Sequence, residues 1–128
     1  MKKILPLTVV ASLLLVLLAF ALAGAQDSLT VVTAVSPQTI ILGSDQGTSV
    51  TVHAEIPYST VDRASLTLNG LAAKGSKSDN RGELVAFFNE EAIKNMVSVP
   101  KATLTLEGRT LAGEAFSGSD TVRVIQAR

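Results

Sequence analysis

Between Ser49 and Ile56 the chain reads Ser-Val-Thr-Val-His-Ala-Glu-Ile, with Val50, Val52, Ala54 and Ile56 on one side and Thr51, His53 and Glu55 on the other. Strict alternation of this kind fits only an extended strand with one buried and one wet face. A helix of the same composition would scatter the four apolar residues around its axis. Pro57 ends the segment, because it has no N–H to give to a ladder. The same pattern recurs in short pieces along the chain. Leu29–Val35 is rich in β-branched residues and is broken by Ser36-Pro37. Thr39–Leu42 stops at the turn-rich Gly43–Gly47, and Ser65–Leu68 stops at Asn69-Gly70, a strong hairpin pair. Glu83–Phe88 carries a continuous apolar run, which predicts a central strand. Ala102–Leu106 alternates, Glu114–Phe116 predicts a short strand, and Thr121–Gln126 closes the series with Val122 and Val124 inward. Lys74–Gly82 is polar, glycine-containing and without periodicity, and reads as a loop.

One short helix interrupts the strands. Asn89 is placed as its N-cap, and Glu90 and Glu91 fall in the first turn, where the helix dipole favours acids. About two turns through Val97 are expected, with Ala92, Ile93 and Met96 on adjoining positions, and Pro100 forbids extension. No helical stretch is long enough for a crossover between parallel strands. About seven short strands punctuated by Gly, Pro, Asn and Asp therefore predict an all-β immunoglobulin-like antiparallel sandwich, with a small barrel as the alternative.

The N-terminal 25 residues have a different character. Lys2 and Lys3 precede Ile4–Leu22, in which Thr8 and Ser12 are the only polar side chains, and Ala23-Gly24-Ala25 follows. Charge, apolar run and small-residue end form the secretory signal pattern, with cleavage expected before Gln26. The run also approaches the ~20 residues that span a bilayer, so an uncleaved anchor is the alternative. With no cysteine, a lipid-anchored form and disulfides are both excluded. Cleavage leaves one domain, residues 26–128, acting outside the cytoplasm: secreted, periplasmic or on the cell surface. It also removes two of the 11 basic residues and none of the 11 acidic ones. A slightly acidic domain lacks the clustered Lys and Arg that nucleic acid or an anionic membrane surface requires.

Catalytic constellations are missing. There is one histidine, His53, on the wet face of its strand, and no cysteine. Neither a nucleophile–base pair nor a zinc ligand set can be assembled from that inventory. Adjacent Glu90 and Glu91 point about 100° apart on a helix and are explained by its dipole, not by a glycosidase cleft. Gly108–Gly113 lacks the Lys-Ser/Thr that completes a phosphate loop. With no Trp, and with its one Tyr (Tyr58) in a loop, the domain offers no carbohydrate platform. Phe87 and Phe88 are neighbours on a strand and must face opposite ways. One of them is therefore exposed, covered by the short helix, or covered by a partner chain.

The stretches Ser36-Pro37-Gln38-Thr39-Ile40, Glu55-Ile56-Pro57, Val61–Gly70, Leu84–Asn89 and above all Gly113–Val124 resemble exported bacterial and archaeal β-sandwich modules of immunoglobulin or fibronectin type. The resemblance implies a non-catalytic binding or structural module of a secreted or surface protein, with another exported protein as its partner. Two departures stand out. The module follows a signal peptide directly. The loop that in such modules often reads Asp-x-Asp-x-Asp-Gly and holds Ca²⁺ is here Lys77-Ser78-Asp79-Asn80-Arg81-Gly82-Glu83. Asp79, Asn80 and Glu83 are its candidate metal ligands, with Lys77 and Arg81 among them. Ca²⁺ asks for six or more oxygens and concentrated negative charge, so a solvated turn is the competing reading. A calcium-dependent binding module and a membrane-anchored surface protein are the alternative functions.

Overall fold

The computed structural model describes residues 28–128; the signal-peptide reading lies outside the described residues. Ten strands, a 3₁₀ turn and a short α-helix follow in order: β1 (Ser28–Thr30), β2 (Thr33–Ser36), β3 (Thr39–Leu42), β4 (Ser49–Pro57), the 3₁₀ turn (Tyr58–Thr60), β5 (Val61–Leu68), β6 (Leu71–Ala72), β7 (Gly75–Ser78), β8 (Glu83–Asn89), α1 (Glu90–Lys94), β9 (Lys101–Thr110) and β10 (Ala115–Gln126). They make two separate sheets. One has the order β2-β4-β8-β7; the other runs β1-β10-β9-β5-β6, with β3 also on β10. Among the described residues no strand joins the two, so the fold is an all-β sandwich and not a barrel. Most pairings are antiparallel, but β1 and β3 both run parallel to β10. This division of strands is that of the immunoglobulin-type sandwich.

The alternation in β4 emerges as read: Val50, Val52, Ala54 and Ile56 are buried, while His53 and Glu55 are exposed. They meet Leu84, Ala86 and Phe88 of β8 on the same sheet, and Leu66, Leu68, Leu104, Leu106 and Phe116 from the other. Each large side chain fully removed from water there contributes ~2–3 kcal/mol, which lets the core hold without disulfides. Asn69 and Gly70 both take positive φ (48° and 87°) and join Leu68 to Leu71 as a two-residue hairpin turn. Asn89 caps α1, its side chain accepting from the Ala92 N–H at 2.9 Å. The helix has five residues, shorter than expected, and buries Ile93; Val97 is buried just beyond it, while Met96 is exposed.

Four segments differ from the sequence reading. Leu29–Val35 is not one strand: the chain leaves the larger sheet after Thr30 and enters the smaller at Thr33. Val31 N–H still bonds Ser117 O (2.8 Å), whereas Glu55 N–H bonds Val32 O (2.9 Å), so the switch lies between adjacent residues. Residues 75–78, read as loop, form β7, an edge strand on β8. Glu114–Phe116 and Thr121–Gln126 are parts of one strand, because Gly118-Ser119-Asp120 continues the ladder with β9. And β5 begins at Val61, four residues before Ser65, with an irregularity that conceals it: Arg63–Leu66 stand opposite the single residue Gly108, between the pairs Asp62–Arg109 and Thr67–Glu107.

Phe88 is in the core, and Phe87 lies half-buried on the outer face. On that face β7 lies beside Phe87: Gly75 is its cross-strand neighbour, and Lys77 Nζ sits 5.8 Å from the ring centroid.

Candidate functional site

The strand edges come first, because an open edge is the simplest surface for recruiting another chain. Two edges are closed by side chains. On β3, Gln46 acts as a surrogate peptide: Ile41 N–H donates to its Oε1 (2.7 Å) and its Nε2 donates to Thr39 O (2.8 Å). On β2, Val35 N–H donates to Asp120 Oδ2 (2.9 Å), while Gln38 Nε2 donates both to Asp120 Oδ2 (2.8 Å) and to Val35 O. Asp120 belongs to β10, so this contact also ties the two sheets together. The exposed-edge route to a partner is therefore blocked at β2 and β3.

The Val35 N–H, and after it the Gln38 amide, hold the Asp120 carboxyl below the usual carboxylate range. A depressed native pKa stabilises the fold above the unfolded-state value near ~4 and loses that contribution as pH falls through the native one. Asp120→Asn is expected to cost about 1–2 kcal/mol at neutral pH, with the gap to the parent chain closing in acid. Urea midpoints between neutral and strongly acidic pH check it; a gap that stays constant with pH would contradict the assignment.

The predicted ligand residues lie in the β7–β8 turn. Asp79 Oδ1 accepts from Arg81 N–H (2.8 Å) and Glu83 N–H (2.9 Å), and Glu83 O accepts from Asp79 N–H (2.9 Å). The Glu83 N–H is the main cause of a lowered Asp79 pKa. Glu83 lies 3.8 Å from Arg81 Nε, and Asn80 is exposed. Asp79 and Glu83 do converge, with Arg81, on the shallow cleft of about 140 Å³ that His53, Glu55 and Val32 line; Asn80 does not line it. Among the described residues, no three His, Cys, Asp or Glu side chains are grouped to hold a metal ion. Asp79 instead spends one oxygen closing its own turn.

A different group assembles at the same end of the sandwich, and here the β5 irregularity matters. Tyr58 sits in the 3₁₀ turn Tyr58–Thr60, between β4 and β5. The irregularity pushes Arg63 outward, placing its guanidinium carbon 5.9 Å from the Tyr58 ring centroid and its Nη1 3.3 Å from the phenol oxygen. Ser76 and then Arg63 bond that phenol and lower its pKa. Leu111, 71% exposed at the tip of the β9–β10 hairpin, completes a hollow of about 600 Å³ with Ser59, Val61, Asp62 and Ala64. Leu111 N–H donates to Thr60 O at 2.8 Å, which fixes the two turns side by side. On the far side of Leu111 lies a second, mostly apolar groove of about 400 Å³, lined by Leu29, Ile56, Pro57, Thr60, Thr110, Ala112 and Glu114.

No family model matches the chain, and neither does any curated protein or solved structure. Its surface must be read from its own chemistry. The half-buried Tyr58 ring and the exposed Arg63 guanidinium beside it are of the residue types enriched in protein-binding hot spots. Sequence reading missed this group because Arg63 and Leu111 meet only through the fold. The available signal was Leu111 itself, a large apolar residue directly before the Ala112-Gly113 turn.

Proposed function

We propose that this chain is exported and works outside the cytoplasm as a non-catalytic binding or structural module, contacting another exported protein through the Tyr58–Arg63–Leu111 hollow. The observation that carries the reading is the contrast between surfaces. Side chains of the molecule itself occupy the β2 and β3 edges, whereas Arg63 and Leu111 are exposed around one hollow that the half-buried Tyr58 also lines. The secretory pattern of Met1–Ala25 and the resemblance to immunoglobulin-type modules of surface proteins support the same reading.

Photo-crosslinking from position 58 of the exported chain tests it, with position 91 on the exposed face of α1 as control. One discrete protein adduct is expected from position 58, lost in Arg63→Ala and not formed from position 91. The reading fails if the two positions give the same adducts, or if position 58 gives none.

A further inference from the structure

The apolar groove on the β1 side of Leu111 calls for an occupant of its own, and the covalent connectivity supplies one. Strand β1 is paired from its first residue, Ser28 against Ala115 and Leu29 against Phe116, so the chain enters the fold directly at this groove. Only Ala23–Asp27 separate Ser28 from the apolar run Ile4–Leu22. Fully extended, that link reaches about 20 Å. The twelve-residue β10 alone is about 40 Å long, so the opposite end of the sandwich, with Met96 and the C-terminus, lies beyond that reach. A run of 19 residues matches the hydrocarbon thickness of a bilayer when helical, at about 28 Å. Among the described residues no helix could take that role.

We propose that, for as long as Ile4–Leu22 remains attached, the groove formed by Leu29, Pro57, Leu111 and Ala112 rests on the headgroup–acyl boundary of the membrane that holds the segment. Leu29 and Leu111 are 40% and 71% exposed, an arrangement that costs free energy in water and is relieved by shallow insertion. The charge of the groove fits a zwitterionic surface: Glu114 is the one ionisable residue lining it, and Asp62 and Arg63 lie across Leu111 in the other hollow. The two hollows share only Leu111, so a domain leaning on its β1 side gives up Leu111 to the membrane and leaves Arg63, with the rest of the other hollow, open to a protein.

The chain has no tryptophan, so Leu29→Trp installs a unique probe. The full chain, reconstituted into phosphatidylcholine vesicles containing brominated acyl chains, is expected to lose about half or more of its emission from position 29, with a blue shift, while Met96→Trp at the far end keeps its emission. Ala112→Trp repeats the measurement should position 29 disturb β1. Unquenched emission at both 29 and 112, or equal quenching at 29 and 96, overturns the proposal. Either result leaves the crosslinking test at position 58 untouched.

Discussion

Gly118→Ala is expected to cost about 3 kcal/mol or more, lowering the melting temperature by more than ~10 °C. Gly118 is buried in the middle of β10, opposite Leu106 of β9. A β-carbon there would fall inside the van der Waals envelope of Thr33 Oγ1 and of the Val31 carbonyl oxygen, and 3.0 Å from Thr33 Cβ. One obstacle is backbone, and it is pinned. Val31 N–H bonds Ser117 O, and Thr33 Oγ1 donates to Val31 O at 3.1 Å. This is where the chain passes from one sheet to the other, so relief requires moving both β1 and β2 away from β10. Gly75→Ala is the matched control: its β-carbon would make an ordinary 3.7 Å contact with Phe87, with an expected effect within ~0.5 kcal/mol. Urea denaturation of the two variants decides. Equal midpoints would mean that the crossing is not held against β10.

The crossing also shows what a sequence of this kind displays and what it hides. Strand β4 is legible because the sandwich buries one of its faces completely, so its residue types report the fold directly. Asn69-Gly70 and Asn89 are legible because backbone geometry at a hairpin turn and at a helix start restricts the residue locally. The hidden elements owe their form to neighbours distant in sequence. Gly118-Ser119-Asp120 has the composition of a turn, yet Gly118 is required by the approach of Val31 and Thr33, and Asp120 by the free N–H of Val35. Strand β7 buries none of its residues, so no periodicity marks it; it exists because β8 presents an edge. Gly108 looks like a strand breaker, but a β-carbon there would lie 2.7 Å from Phe116 Cζ, so the ring occupies the space that glycine leaves. The same holds for the surface. Asp79, Asn80 and Glu83 stand out as oxygen-bearing side chains within five residues, although the fold uses Asp79 to close its turn. Tyr58, Arg63 and Leu111 acquire meaning only when the β5 irregularity and the β9–β10 hairpin bring them together.

Lys94→Met is expected to destabilise the fold by about 3 kcal/mol at neutral pH, the low end for removing one member of a buried ion pair. Sequence alone assigns Glu90 to the helix dipole, but its side chain is 8% exposed and lies 2.7 Å from the equally covered Lys94 Nζ. Glu90 Oε1 also accepts from Gln46 N–H (3.1 Å), and Lys94 Nζ donates to Ser44 O. Glu90 N–H and Lys74 Nζ both donate to Thr48 O, so the whole β3–β4 connection is fastened to α1. Lys94, ahead of the Gln46 N–H, holds the Glu90 carboxyl below its usual range. In the parent chain this pair therefore stabilises above the unfolded-state pKa near ~4.3, and its contribution fades as pH falls below that. In Lys94→Met the sign reverses: burial with only the more distant Lys74 for compensation raises the Glu90 pKa, and protonation in acid relieves the unpaired charge. The gap between the two proteins should thus begin to shrink above about pH 4.3, as Glu90 of the variant takes up its proton, and shrink further below it as the parent loses its pair. Adding Glu90→Gln to Lys94→Met should recover part of the loss at neutral pH, since no charge is then left buried. A second consequence follows from geometry. Gln46 is held by Glu90 through its backbone and caps β3 through its side chain. Releasing it exposes the Thr39–Leu42 edge, so Lys94→Met should also self-associate at concentrations where the parent chain stays monodisperse by light scattering. A loss below ~0.5 kcal/mol with no pH dependence would show that the pair is solvated and that the β3 cap stands without it.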